Sequence, residues 1–383
     1  MKLAGRRIHI AGSAGSETSP STLRYAHELI GLLAAKLADE GARFVLAVGK
    51  EPCAPDAQPL IFDWTVLSAL YDSIQARRAT ARSDLGALVE SLATHKTDSH
   101  IPNNRRALWT DIRKLDAVHL EFLAPGWTSG AIRRERQAQL GDVLVTISGG
   151  EGVEHLARDY INHGKPVIAL DLELGSSTND GSGGSVRLAA EALHSPRLFV
   201  RIDSHHSAPD LLDRISTRGG TNPASTVAEN VLLLMKALDE PHAFYVRLLN
   251  ESAPEYPAVE HFFRAVVDPV VTELGFRPLQ MARGKSEHAW MDQAIFDSLH
   301  YSEAVVVDLT GVRPNCFMEL GYALGNRQRT AVTAMEGTNV PFDPAAIERY
   351  VWNPSKSDAE QQVEFKGYWL RTIDRPTLVS LRR

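Results

Sequence analysis

Asp308 and Glu319 are the carboxylates whose neighbours suggest chemistry on a sugar. Val305-Val306-Val307 is a short β-branched run of the kind a parallel strand covered on both faces needs, and Asp308 stands at its C-terminal end. Open α/β sheets bind ligands there. Pro314-Asn315 then reads as a helix start with Asn315 as the cap, which puts Glu319 in the first helical turn, facing the same crevice and kept ionised by the helix dipole. Such a pair fits glycosidic cleavage, in which one carboxylate stabilises or captures an oxocarbenium-like carbon while a second group helps the base depart.

A second constellation suggests phosphate binding. A strand ending in Ser148-Gly149-Gly150 runs through Glu151-Gly152 into a helix, so missing side chains let backbone N–H groups approach an anion that the helix N-terminus also favours. Arg133, Arg134 and Lys165 are cations that could pair with such an anion. Gly12 and Ser13 close the first strand, but Gly12-Ser13-Ala14-Gly15 is no intact G-x-G-x-x-G, which disfavours conventional NAD dehydrogenase chemistry.

The elements that must position these residues alternate strand and helix. Ile8–Gly12 reads as a strand, Leu23–Ala38 as an amphipathic helix and Phe44–Gly49 as a second strand. Strands at 142–148 and 166–170 follow, with a helix between them over 153–163 and another over 185–193. Arg197–Ile202 is expected to add a strand, while the charged segment 72–140 is expected to be mostly helical. Ala243–Leu249 opens a new strand series that continues through the helix feeding Val305. The rhythm predicts an α/β protein of two Rossmann-like domains with parallel sheets. The Gly- and Pro-rich stretch Thr217–Thr226 and the apolar helix after it set the boundary at residues 1–238 and 239–383. That helix, with little polar cover, is expected to dock on a domain face or a second subunit, which makes a homo-oligomer the expected state.

Composition excludes several classes. A length of 383 residues suits two domains, and a net charge of −6 gives no electrostatic footprint for nucleic acid. No apolar run approaches a membrane span and the N-terminus lacks a signal-peptide core, so a cytoplasmic location is expected. Cys53 and Cys316 form no CxxC or Cys/His set, and His205-His206 with Asp203 and Asp210 lacks further ligands, so no metal is expected.

Met318-Glu-Leu-Gly-Tyr-Ala-Leu324, preceded by Asp308-Leu-Thr-Gly311, resembles the superfamily of nucleoside 2-deoxyribosyltransferases and TIR-like NAD glycohydrolases. The resemblance implies that Glu319 is the nucleophile or the ribose anchor, that Asp292 is a substrate-facing acid, and that Tyr245 orients Glu319. The sequence departs from the transferases after that tyrosine, where Asn250-Glu-Ser-Ala-Pro-Glu255 replaces a small Gly-Pro loop. Gly141–Ala157, Gly164–Leu170 and the Gly183-Gly184 loop resemble the SLOG superfamily of nucleotide binders, in the branch that accompanies sirtuin and TIR effectors in bacterial defence. In the LOG enzymes a Pro-Gly-Gly-x-Gly-Thr turn is catalytic. Here Ser148 and Val153 replace its Pro and Thr, which implies ligand binding rather than catalysis.

Together these resemblances imply an antiphage effector that cleaves or transfers at an N-glycosidic bond of a nucleotide, with NAD the expected substrate and no further cofactor. A nucleotide or cyclic ADP-ribose-type signal is the expected partner of the first domain. A metabolic deoxyribosyltransferase or nucleotide hydrolase and a non-enzymatic nucleotide sensor are the alternatives.

Overall fold

A computed structural model describes residues 3–79, 89–94, 100–115, 118–123, 129–175, 184–217, 222–279, 291–341 and 347–373. The chain divides into two compact units, Met1–Asp239 and Glu240–Arg383.

In the first unit, strands β1 (Arg7–Ser13), β2 (Arg43–Ala47), β3 (Val89–Thr94), β4 (Val118–Leu123), β5 (Val143–Ser148) and β6 (Val167–Leu170) form one sheet in the order β4-β3-β2-β1-β5-β6. All its pairings are parallel. The helices are α1 (Pro20–Asp39), α2 (Asp63–Ala79), α3 (Arg106–Ile112), α4 (Ser129–Leu140), α5 (Glu151–Asn162), α6 (Gly184–His194), α7 (Pro196–Phe199), α8 (Ala208–Arg214) and α9 (Ala224–Ala237). Strand order reverses between β1 and β5, and such a reversal opens a crevice at the carboxyl ends of the strands.

Local chemistry explains most of these elements. Ser19 caps α1 by accepting the Thr22 N–H at 3.2 Å, Pro20 takes the first helical position, and Leu23, Ala26, Ile30, Leu33 and Leu37 make its buried stripe. β5 is buried at every position, as a central parallel strand must be. Gly12 pairs with Ile147, and a Cβ at Gly12 would overlap the Ile147 carbonyl. Gly12→Ala should therefore lower stability by about 1–3 kcal/mol, the usual cost of forced overpacking, read as a shifted urea midpoint.

Two expectations are corrected here, and a third is narrowed. The segment read as mostly helical contains β3 and β4; in β4, Val118, Leu120 and Phe122 alternate with His119 and Glu121, a β pattern carried on polar and charged residues. Arg197–Ile202 is not a strand: Pro196 starts the short helix α7, and Ile202 makes only an isolated bridge to Leu238. The apolar helix α9 docks inside its own unit, where Val227, Val231, Leu234 and Met235 join the core that also holds the α1 stripe. Lys36–Glu229 at 3.1 Å and Lys236–Glu40 at 2.6 Å flank that contact. Of the two docking places expected for this helix, the domain face is the one it occupies.

The second unit has strands β7 (His242–Val246), β8 (Arg277–Leu279), β9 (Ala304–Asp308), β10 (Arg329–Met335) and β11 (Tyr350–Trp352), ordered β11-β10-β9-β7-β8 and all parallel. Its helices are α10 (Tyr256–Phe262), α11 (Asp268–Glu273), α12 (Met291–His300), α13 (Pro314–Gly325) and α14 (Asp358–Ile373), with a π-helical turn at Phe263–Val267. The sheet is covered on both faces. Ala243, Tyr245, Ala304 and Val306 pack with α10, α11 and α14, whereas Phe244, Val246, Val305 and Val307 pack with α12 and α13. Both units are thus α/β and Rossmann-like, as the alternating rhythm predicts.

Candidate functional site

At the β1/β5 reversal of the first unit lies a cleft of about 560 Å³, within the range of small-molecule sites. Its walls come from five elements, β2 supplying Ala47. β1 supplies residues 9–13, α2 supplies Asp63 at its first position, α4 supplies Arg133, Arg134 and Gln137, and the start of α5 supplies Gly150, Glu151 and Gly152.

The turn from β5 into α5 has an unusual backbone. Ser148 and Gly149 both have positive φ, at 49° and 74°, so two successive left-handed residues swing the chain sharply off the strand. Ser148 is fully buried and donates through Oγ to the Gly175 carbonyl at 3.2 Å, and the Gly149 N–H donates to Ser13 at 2.9 Å. Gly184 seats its own N–H on the Gly149 carbonyl at 2.5 Å. Gly150 is the cap of α5, and the first N–H groups of that helix, at Glu151 and Gly152, have no carbonyl a turn behind them. They open on the cleft, where an anion suits them.

Two guanidinium groups share this space. Arg133 lies close enough to His9 and Asp63 to act on both, and Arg134 Nη1 stands 3.6 Å from where a Cβ on Gly152 would be. Among the described residues, the Nε atoms of both arginines are buried without a hydrogen-bond partner. Buried donors are almost always paired, so a cleft with two such atoms is built to receive acceptors. Asp63 accepts the Ala47 N–H at 3.0 Å, and burial pushes its carboxyl above the usual carboxylate range, against the opposing pull of that hydrogen bond and of Arg133. Glu151 is an exposed second carboxyl group on the opposite rim.

Of the residues expected to bind ligand, Gly12, Ser13, Gly150, Glu151 and Arg133 line one cavity, while Ser148, Gly149 and Gly184 hold the turn behind it. Gly183 lies outside the described residues. Sequence reasoning missed His9, Asp63 and Gln137. An Asp at a helix start and a Gln inside a charged helix look ordinary, and only the sheet order brings them beside β5.

In the second unit burial first, then Glu319 and Asp308, push the Cys316 thiol of α13 up, so both expected carboxylates lie near that residue. Asp308 is fully buried: its Oδ1 accepts the Thr310 N–H at 3.0 Å, and its Oδ2 accepts Thr333 Oγ1 at 2.7 Å and Trp352 Nε1 at 2.9 Å. The carboxylate braces β9, β10 and β11 through Thr333 and Trp352, so its lone pairs are committed within the sheet. Tyr245 belongs to the sheet face that packs with α10, α11 and α14, edge-on to Phe263 at 5.1 Å, so it does not orient Glu319. The reason is strand parity: one residue either way would have reversed that assignment. The side chain of Asp292 lies outside the described residues. Asn315 is exposed and is the second helical residue, because Pro314 takes the first position and Arg313 the cap.

Glu319 therefore sits in the second turn, beyond the reach of the helix dipole. Burial pushes its pKa from 4.5 up to about 7, the reverse of the expected ionisation. The folded state thus binds this proton more tightly than the unfolded chain. Its stabilising contribution is complete below pH 4.5 and is lost as pH rises through about 7. Urea melts of the second unit's signal from pH 5 to pH 8 should show stability falling, and Glu319→Gln should flatten that slope.

The family described as "ATP nucleosidase Cap17-like, N-terminal" matches residues 3–237. The chain belongs to this family. Its Cap17-like domain coincides with the unit that carries the cleft. ATP nucleosidase Cap17 from Escherichia coli strain KTE188 is 25% identical over 335 residues, covering 84% of this chain and 64% of the relative. The chain thus spans just under two thirds of the length of the curated relatives it matches. Among solved structures, DNA processing protein A from Helicobacter pylori aligns with TM-score 0.33 and 17% identity over 55% of this chain and 80% of its own. The molybdenum cofactor carrier protein of Chlamydomonas reinhardtii aligns at 0.30 and 14% over 61% and 99%.

Proposed function

We propose that this chain cleaves the N-glycosidic bond of a nucleotide, and that the reacting site is the cleft of the Cap17-like unit. The observation that carries the proposal is the pair of buried, unpartnered guanidinium Nε atoms, which share one cavity with two carboxyl groups and the open start of α5. Arg134 and the α5 N–H groups hold phosphate oxygens, and Arg133 lies deeper, beside Asp63. With its carboxyl raised by burial, Asp63 is suited to protonate the departing base. Glu151 orients a water and takes its proton as the oxygen attacks C1′. The C1′–N bond breaks as the C1′–O bond forms, leaving free base and a phosphorylated ribose.

The name of the E. coli relative favours ATP over the NAD expected from sequence, because the matched domain is the one with the cleft. Depleting such a pool is the use an antiphage effector would make of the reaction. One observation favours a second reading: a half-buried Glu319 with a pKa near 7 is itself suited to acid–base work, with the first unit acting as sensor. Incubating the protein with ATP, AMP, adenosine and NAD, with and without cyclic ADP-ribose, separates the two. Free adenine from ATP that survives Glu319→Gln and vanishes in Asp63→Asn supports the cleft. The opposite pattern moves the chemistry to the second unit, and turnover of neither nucleotide sinks both.

A further inference from the structure

Three polar side chains, His9 and Gln137 lining the first unit's cleft and the fully buried Tyr160 bonded to both residues, can satisfy their hydrogen bonds in one arrangement. Tyr160 Oη stands 3.1 Å from the Gln137 backbone carbonyl, which can only accept, so the hydroxyl spends its one hydrogen there. The same oxygen is 3.3 Å from His9 Nδ1 and must therefore accept, so Nδ1 carries a proton. His9 is neutral, since burial first and Arg133 second push its pKa down to about 3, and its Nε2 is consequently bare. Gln137 Nε2 lies 3.2 Å from that bare nitrogen and donates to it. The amide cannot turn over without setting two acceptors against each other. Its oxygen is thus the group Gln137 offers to the cavity it lines.

The surroundings keep the device rigid. A Cβ at Gly141 would overlap the Tyr160 hydroxyl, so that glycine makes its room. Lys165 Nζ donates to the carbonyls of Ala138 at 2.5 Å and Gly141 at 2.8 Å, holding the end of α4 that carries Gln137.

We propose that Gln137 reads the base of the nucleotide in this cleft, its fixed carbonyl accepting a hydrogen bond from the exocyclic amine of a 6-aminopurine and turning away a 6-oxopurine. The inference rests on the reading of the cleft as a nucleotide site. His9 and Tyr160 are positioning residues, acting through the amide. A 6-oxo group would face the amide oxygen as acceptor against acceptor, which a desolvated site penalises by about tenfold or more.

Calorimetric titration with ATP, ITP and inorganic tripolyphosphate tests it, ITP carrying a 6-oxo group in place of the amine. Wild-type protein should prefer ATP to ITP by about tenfold or more. Gln137→Leu should lose about tenfold in ATP affinity, hold ITP within about twofold and keep tripolyphosphate, which reports the arginine end alone. In His9→Leu the amide is free to turn its N–H groups to the cavity, so the preference should move toward ITP, a change that mere loss of packing would not produce. Equal binding of ATP and ITP by wild type overturns the proposal, as does a Gln137→Leu protein with an unchanged ratio. Should Gln137→Leu lose tripolyphosphate through misfolding, the His9→Leu ratio decides alone, and an unchanged ratio overturns the proposal. Failure of wild type to bind any of the three ligands is a separate result that removes the nucleotide reading and this proposal with it.

Discussion

Asp63→Asn protein should release adenine from ATP at about one thousandth of the wild-type rate while unfolding at the wild-type urea concentration. The size follows from what a positioned acid contributes to proton transfer, two to four orders of magnitude, when no other group can replace it. The specificity follows from geometry. Asn keeps an oxygen for the Ala47 N–H that Asp63 now binds at 3.0 Å, so the start of α2 stays in place and only the transferable proton is lost. Because burial raises the Asp63 carboxyl, the wild-type rate should also fall on the alkaline side as that proton is titrated away. Asp63→Asn should abolish that limb along with the rate. A variant that turns over normally would remove Asp63 from the chemistry.

Replacing Arg133 and Arg134 together by Ala should weaken ATP binding by a factor of about 100 or more, measured by titration at low salt. Each guanidinium has a buried Nε that finds no acceptor among the described residues. Charge-assisted hydrogen bonds to phosphate are worth about 1.5–3 kcal/mol apiece, and two of them account for that factor. Binding also stabilises: ATP should raise the wild-type melting temperature by linkage and leave the double variant unmoved. Single variants should differ in kind. Arg134→Ala, beside the α5 N-terminus, should raise KM with kcat nearly kept, whereas Arg133→Ala, beside Asp63, should lower kcat as well. Undiminished ATP binding in the double variant would mean that the phosphates sit elsewhere.

The glycine turn after β5 was legible because its residue types carry their own explanation. A buried strand running into Gly149-Gly150 and a helix reads the same way in one dimension as in three. Arg133 was legible only as a cation of the right charge. Nothing local says that it, rather than Arg105, reaches the cleft. In the fold Arg105 is spent on Glu51, at 2.9 Å, and Arg133 is not. Glu319 shows the opposite case. Its sequence neighbourhood is suggestive, yet the helix starts two residues earlier, at Pro314, which puts Glu319 in the second turn of α13, and burial reversed its expected ionisation.

What the sequence by itself determined is whatever short-range physics specifies. That includes the alternation of strand and helix, the parallel and doubly covered sheets, the two units, and the anion-ready turn at Ser148-Gly149-Gly150. Periodicity, glycine conformation and capping act within a few residues, so they can be read along the chain. Only the tertiary structure decided which carboxylates meet which cations. Asp63 joins Arg133 across 70 residues because β1 lies between β2 and β5, and Asp308 is tied to Thr333 and Trp352 by the pairing of β9, β10 and β11. Strand order and side-chain parity are long-range properties, set when packing selects one sheet arrangement among many, and a cleft walled by five elements inherits that dependence.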